Sequence, residues 1–269
     1  MNIIYLTHLY PDKMSIYGDY GNILAIKEAL KLQNLNVVYQ AVNEGDNIPL
    51  NTDFFFIGGG QDSDQYDIYL DLLEKKDTLI GLIEAGTPLL SICGGYQLLG
   101  NSFVSGTGQS ITGIGVFPVE TKSLDASVTS RCIGNIVVEC NLPFAYGADR
   151  MLVGFENHGG QTFLNTSSSK NATYLGKTIT GFGNNFTEKN EGCVYKNAIG
   201  TYLHGSCLPK NPNLTEYLVE KIIENHNFRN SNKSEVTRYT YTPPNQRTTT
   251  RIETLAAIAH KSLIKKFID

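Results

Sequence analysis

The chain lacks the features that mark several large functional classes. No stretch approaches the roughly 18 uninterrupted apolar residues that a membrane span requires, so a membrane-spanning helix is not expected. Lys and Arg never run beyond short pairs, and 22 basic residues face 26 acidic ones, a formal net charge of -4. A protein that neutralises phosphate backbones needs the opposite balance, so no nucleic-acid partner is indicated. The five cysteines include no CxxC pair, and an odd count without such pairs fits neither a disulfide framework nor a zinc site. A reducing cytoplasm is the compartment expected. The opening "MNIIYLTHLYPDK" has no basic leader, and Thr7 and His8 break its apolar run before any cleavage-like site; export is not expected.

What is present reads as an α/β protein. "NIIYLTHLY" is a strand, "PDKMSIYGDYGN" a polar loop, and "ILAIKEALKLQN" a helix with Ile23, Ile26 and Leu30 on one face. "LNVVYQAV" and "TDFFFIGG" are short, continuously apolar, β-branched or aromatic runs bounded by turn residues, the pattern of strands buried on both sides in a parallel sheet, and "PLLSIC" is another buried strand. Helices are expected around Ser63 to Lys75, Thr78 to Ala85, and from "GGYQLLG" onward. This alternation predicts a flavodoxin-like, doubly wound parallel sheet with helices on both faces. From Gly113 to His204 the texture turns β-like, in "GIGVFPVET", "RCIGNIVVEC", "LVGFENHG", "TITGFGNN" and "AIGTYLHG". These read as additional strands on the common core.

A helix in "NPNLTEYLVEKIIENH" closes a domain of residues 1–227, and residues 228–269 form a linker and a C-terminal helix. That last helix carries Ile252, Leu255, Ala259, Leu263 and Phe267 on one face, suited to packing on the core or to docking on a partner.

The chemistry centres on "PLLSICGGYQLLG". A cysteine at a sharp strand-to-helix turn has the placement of a nucleophile elbow, and Gly94 and Gly95 let the backbone make the turn. The helix N-terminus there is expected to lower the Cys93 thiol pKa and to offer N–H groups, Gly94 first, to an oxyanion. "FFFIGGGQD" ends a second strand, and the carboxyl ends of such strands share one sheet edge. Gly59 and Gly60 are therefore expected to face Cys93 as further oxyanion donors; the loop fits neither GxGxxG nor a GK[ST] ending. For the base, His204 in "GTYLHGS" and His158 in "GFENHGG" share the claim, with His8 near the end of the first strand. His226 and His260 lie on expected helices and are expected to be solvated.

Taken together and in order, "FIGGGQD", "ICGGYQLLG", "GFENHGGQT" and "GTYLHG" resemble the class I glutamine amidotransferases of the cobyric acid synthase type. "YGDYGN", the "GNN" of "GFGNN", and "GTYLHGSCLPKN" bring the likeness nearest to the GatD-type glutaminase subunits of lipid II isoglutaminyl synthase, over about Ile3 to Lys221. The resemblance implies L-glutamine hydrolysis through a thioester, with Cys93 as nucleophile, His204 as general base, and Arg131 of "TSRCIGNIVVE" binding the substrate. An arginine fork suits the α-carboxylate of glutamine. It also implies no cofactor in this subunit. ATP and Mg are expected on a Mur-ligase-like synthetase partner of the MurT type, which forms a heterodimer with this chain and acts on lipid II.

One position departs from the family pattern. Where many of these enzymes carry a carboxylate two residues after the histidine, this chain has Ser206, so His204 works in a dyad or takes its acid from elsewhere, the partner included. Three other readings remain at this stage: an amidotransferase for another acceptor such as a corrinoid, a stand-alone cysteine amidohydrolase, and a non-enzymatic scaffold that keeps the fold.

Overall fold

The computed structural model describes residues 3–105, 108–123, 131–144, 150–165, 167–168, 170–231, 238–246 and 250–268. Strand and helix alternate through the first hundred of them: β1 (Ile3–Leu9), α1 (Tyr20–Leu32), β2 (Asn36–Val42), β3 (Phe54–Ile57), α2 (Asp62–Glu74), α3 (Lys76–Glu84), β4 (Leu89–Ile92) and the short α4 (Gly94–Leu98). Every residue of β3 and β4 is buried, Ser91 of β4 included, as expected of predominantly apolar strands inside a parallel sheet. In α1 the expected face, Ile23, Ile26 and Leu30, turns inward.

Short strands then follow: β5 (Ser102–Val104), β6 (Ser110–Thr112), β7 (Val119–Ser123), β8 (Cys132–Cys140), β9 (Met151–His158), β10 (Gly160–Leu164), β11 (Ala172–Thr173), β12 (Gly176–Thr180), β13 (Asn190–Glu191), β14 (Cys193–Tyr195) and β15 (Ala198–Thr201). The chain ends in α5 (Cys207–Lys210), α6 (Pro212–Arg229) and α7 (Arg251–Ile268).

The main sheet has the order β11-β14-β15-β4-β3-β1-β2. Its five strands from β2 to β15 are parallel, and β14 and β11 extend it antiparallel. With β15 counted as the fifth strand this is the flavodoxin-like order. The sequence pattern places "AIGT" among the added strands, whereas it is a core strand: Ala198 pairs with Leu89 and Thr201 with Ile92. Its burial at all four residues is the physical reason. The added strands form two four-stranded sheets, β10-β7-β5-β6 and β13-β12-β8-β9.

The tail helix α7 packs on α5, α6, β8, β9 and β12. Its inward face differs from the expected stripe. Leu255 is 55% exposed, while His260 is buried and its Nδ1 donates to the Lys210 carbonyl at 2.7 Å. The Ile252 side chain and linker residues 232–237 and 247–249 lie outside the described residues. His226 is likewise buried against Asp53 at 3.0 Å. Both histidines were expected to be solvated; each instead uses a ring nitrogen to satisfy a buried acceptor. No helix among the described residues is long and apolar enough to cross a membrane.

Candidate active site

Three neighbouring parallel strands deliver the expected site to one sheet edge. Gly58 to Gly60 follow β3, Cys93 follows β4, and His204 lies three residues beyond β15. The register is tight, since Ile57 pairs with Ser91 and Ile92 with Thr201. The Cys93 N–H continues the ladder by donating to the Thr201 carbonyl at 2.9 Å. The loops that carry Cys93 and His204 therefore leave the sheet side by side.

Cys93 sits at φ 49°, ψ -105°, a conformation costing of order 1–3 kcal/mol for a residue with a side chain. The strain persists because the following turn is locked down. Gly95 donates to the Gly58 carbonyl at 3.2 Å, and a Cβ at Gly95 would lie 2.8 Å from that same oxygen. The strand-to-helix elbow is thus clamped to the glycine loop after β3.

The thiol itself departs from expectation. Cys93 is only 7% exposed, and burial pushes its pKa up to about 12, with the Asp19 carboxylate adding to the rise and the Gly94 N–H opposing it. Removal from water outweighs the single turn of helix behind it. At neutral pH Cys93 is therefore a thiol.

His204 complements it. The ring is fully buried, and neither nitrogen has a hydrogen-bond partner among the described residues. Burial, with the nearby His158 and Lys210, lowers its pKa to about 3, so the imidazole is neutral and able to take a proton. The loop that carries it is pinned at successive residues. Buried Glu191 accepts from the Thr201 hydroxyl at 2.6 Å and the Tyr202 N–H at 2.7 Å. His204 N–H donates to the Phe155 carbonyl at 2.8 Å. Ser206 turns its hydroxyl away, donating to the Gly18 carbonyl at 2.5 Å.

His158 has other work. Its Nδ1 donates to the Gly160 carbonyl at 2.8 Å, its ring stacks on Tyr202 at 3.6 Å, and burial holds its pKa down to about 4. His8 is also buried, with Nδ1 3.2 Å from the Tyr39 hydroxyl. Of the candidate bases, His204 alone has both ring nitrogens unengaged.

The glycine loop needs one amendment. The Gly59 N–H donates to Asp19 Oδ2 at 2.7 Å, so it is not free for an oxyanion. The Gly60 nitrogen lies 3.2 Å from where a Cβ on Gly94 would stand, which leaves Gly60 and Gly94 as the facing pair. Beside them the buried Gln65 brings its carboxamide nitrogen to 2.9 Å from that same point. Gly59 serves instead by having no side chain, since a Cβ there would come within 2.9 Å of His204 Cε1.

Arg131 lies at the rim. Its Nε and Nη2 donate to Asn157 Oδ1 at 3.3 and 3.2 Å, and Asn157 Nδ2 donates to the Tyr17 hydroxyl at 2.8 Å. Arg131 also acts electrostatically on the Cys93 thiol. Asp19, Tyr17, Asn157, Gln65 and Glu191 escape single-sequence reasoning because each acts through a tertiary contact. Only the quoted "YGDYGN" and "GFENHGG" carried a signal for three of them.

The match to known proteins is decisive on family. The CobB/CobQ-like glutamine amidotransferase domain model matches residues 5–212. The chain belongs to that family. Among the relatives of this amidotransferase, subunit GatD of lipid II isoglutaminyl synthase (glutamine-hydrolyzing) from Staphylococcus aureus N315 is 40% identical over 225 residues, 83% of this chain and 86% of that protein. The subunit of the same description from Streptococcus pneumoniae R6 is 39% identical over 215 residues, 80% of this chain and 78% of that one. In fold, a solved glutamine amidotransferase from Thermotoga maritima aligns with a TM-score of 0.52 at 18% identity, over 99% of this amidotransferase and 98% of the other.

Proposed function

We propose that this chain is the glutaminase subunit of a lipid II isoglutaminyl synthase. The observation that carries the chemistry is the strained elbow at Cys93, joined by its own N–H to the strand that leads to His204. Family membership and the two GatD relatives support the substrate and the acceptor.

Glutamine enters with its α-carboxylate on the Arg131 guanidinium and its side-chain amide at the elbow. As Cys93 Sγ bonds to the amide carbon, its proton passes to His204, a general-base activation suited to a buried thiol and a neutral imidazole delivered to the same sheet edge. The oxyanion is held by the N–H groups of Gly60 and Gly94. His204 returns the proton to the amide nitrogen, the C–N bond breaks, and ammonia leaves a glutamyl thioester. Water, deprotonated by His204, then releases glutamate and the free thiol. The steps in this subunit use side chains and backbone alone.

Ammonia passes to a Mur-ligase-like synthetase subunit of the MurT type in a heterodimer. That subunit holds ATP and Mg and amidates the D-glutamate α-carboxylate of lipid II. A cytoplasmic site of action belongs to the same reading. The unpartnered His204 nitrogens and the averted Ser206 support an orienting carboxylate supplied by that partner.

The test is ammonia release from L-glutamine by the chain alone, and with the synthetase subunit, ATP and lipid II. The expected result is a rate that rises with the partner and appears as amidated lipid II. No glutamine turnover in either mixture overturns the reading, and equal turnover in both removes the partner-supplied acid.

A further inference from the structure

Asp19 is placed where an aspartate normally caps a helix, one residue before α1, yet its side chain makes no cap hydrogen bond. An aspartate in that position gains of order 1 kcal/mol by accepting the helix's own free N–H groups. Here the carboxyl, fully buried, reaches across to the glycine loop after β3. Its Oδ2 accepts the Gly59 N–H at 2.7 Å, while Oδ1 is buried with no partner among the described residues. Burial raises its pKa to about 7. An arrangement that forgoes a cap and strands one oxygen costs stability. What it secures is the direction of one peptide group.

That direction matters for the reaction. The Gly59 carbonyl accepts from Ile16 at 3.2 Å, so both ends of this glycine are held by the segment before α1. With Gly59 N–H turned to Asp19, the next nitrogen, Gly60, is the one beside Gly94. Three consecutive glycines leave the loop free to adopt other peptide orientations. Without a fixed acceptor the oxyanion donors are not preorganised.

We infer that Asp19 is a positioning residue for glutamine hydrolysis, whose carboxyl oxygen holds the Gly59 peptide so that Gly60 and Gly94 form the oxyanion pair. The inference rests on the glutaminase reading above. It requires an acceptor at this point and not a charge, so asparagine, which keeps an oxygen there, substitutes for it.

The experiment is steady-state glutamine hydrolysis by the full chain with its synthetase subunit, comparing Asp19→Ala and Asp19→Asn with wild type and with Cys93→Ala as zero. Asp19→Ala is expected to lose about 10- to 100-fold in kcat with KM within about twofold, a partial loss of oxyanion stabilisation. Asp19→Asn is expected to recover kcat to within about threefold of wild type. A folded Asp19→Ala with wild-type kcat overturns the inference, and so does a folded Asp19→Asn as slow as alanine. If Asp19→Ala does not fold, Asp19→Asn decides: near-wild-type kcat supports the inference, and low kcat in the folded protein overturns it. A wild type without glutamine turnover overturns the glutaminase reading itself, an outcome distinct from either variant result.

Discussion

Tyr17 sets the edge of its ring against the imidazole of His204, with centroids 5.0 Å apart and planes at 69°. The tyrosine is half exposed at φ 54°, while the histidine beneath it has no access to water. Desolvation is the largest cause of the low His204 pKa, and Tyr17 is part of the cover. Tyr17→Ala should let water in and move that pKa up towards its ordinary value. Because the imidazole works unprotonated, the acidic limb of the kcat/KM profile should shift to higher pH in Tyr17→Ala and stay in place in Tyr17→Phe. An unshifted limb in the alanine variant would show that the cover lies elsewhere.

Cys93→Ala should abolish glutamine hydrolysis with little change in melting temperature, measured by ammonia release and thermal denaturation. The high pKa of the resting thiol adds a pH expectation. Only the thiolate reacts with iodoacetamide, so alkylation of Cys93 in the free protein should be slow at pH 7 and climb through pH 9 without a plateau. A plateau near neutrality would mean that a preformed thiolate–imidazolium pair exists.

Gly59→Ala probes the contact with the base. The added methyl meets His204 Cε1 and Ile16, so the imidazole must move, and kcat should fall by about 100-fold, the cost of misplacing a catalytic group by an ångström or so. Gly81→Ala is the control. Nothing lies within 4 Å of its Cβ position in α3, and the substitution should leave turnover intact and stabilise the fold by about 0.5–1 kcal/mol.

Arg131→Ala should raise KM for glutamine with a smaller effect on kcat, since in the proposed mechanism the guanidinium holds the part of the substrate that does not react. Asn157→Ala, which frees the guanidinium from its Asn157 contact, should raise KM less. Initial-rate kinetics over a range of glutamine concentrations separate the two, and an unchanged KM in Arg131→Ala removes it from the binding site.

The parallel core was readable because β3 and β4 are short, predominantly apolar runs, and burial on both faces permits little else. Cys93 and His204 stood out in the sequence for a related reason, since each follows a strand-like run, though only the family resemblance separated His204 from His158. Misreadings came where tertiary burial overrides a local pattern. "AIGT" has the composition of its neighbours in the added sheets, and only pairing with β4 sets it apart. His226 and His260 lie on amphipathic helices whose inward faces happen to run through them. The thiol pKa runs against expectation for a quantitative reason, since five residues of helix do not offset burial of the sulfur. Asp19 was visible as a letter in a motif, but its reach to Gly59, forty positions away in the chain, is not a property of any local segment.

The insertion of β15 beside β4 has a consequence for how the protein comes to be reactive. Leu89 and Ala198 are direct partners, yet all of the added strands lie between them in the chain. Pairings of such long range are made late, after the entropy of closing the intervening loop has been overcome. Until that pairing forms, nothing in the sheet holds the His204 loop beside the Cys93 turn. Folding then does two things in one event: it buries the sulfur and, in the proposed mechanism, brings it to the imidazole that activates it.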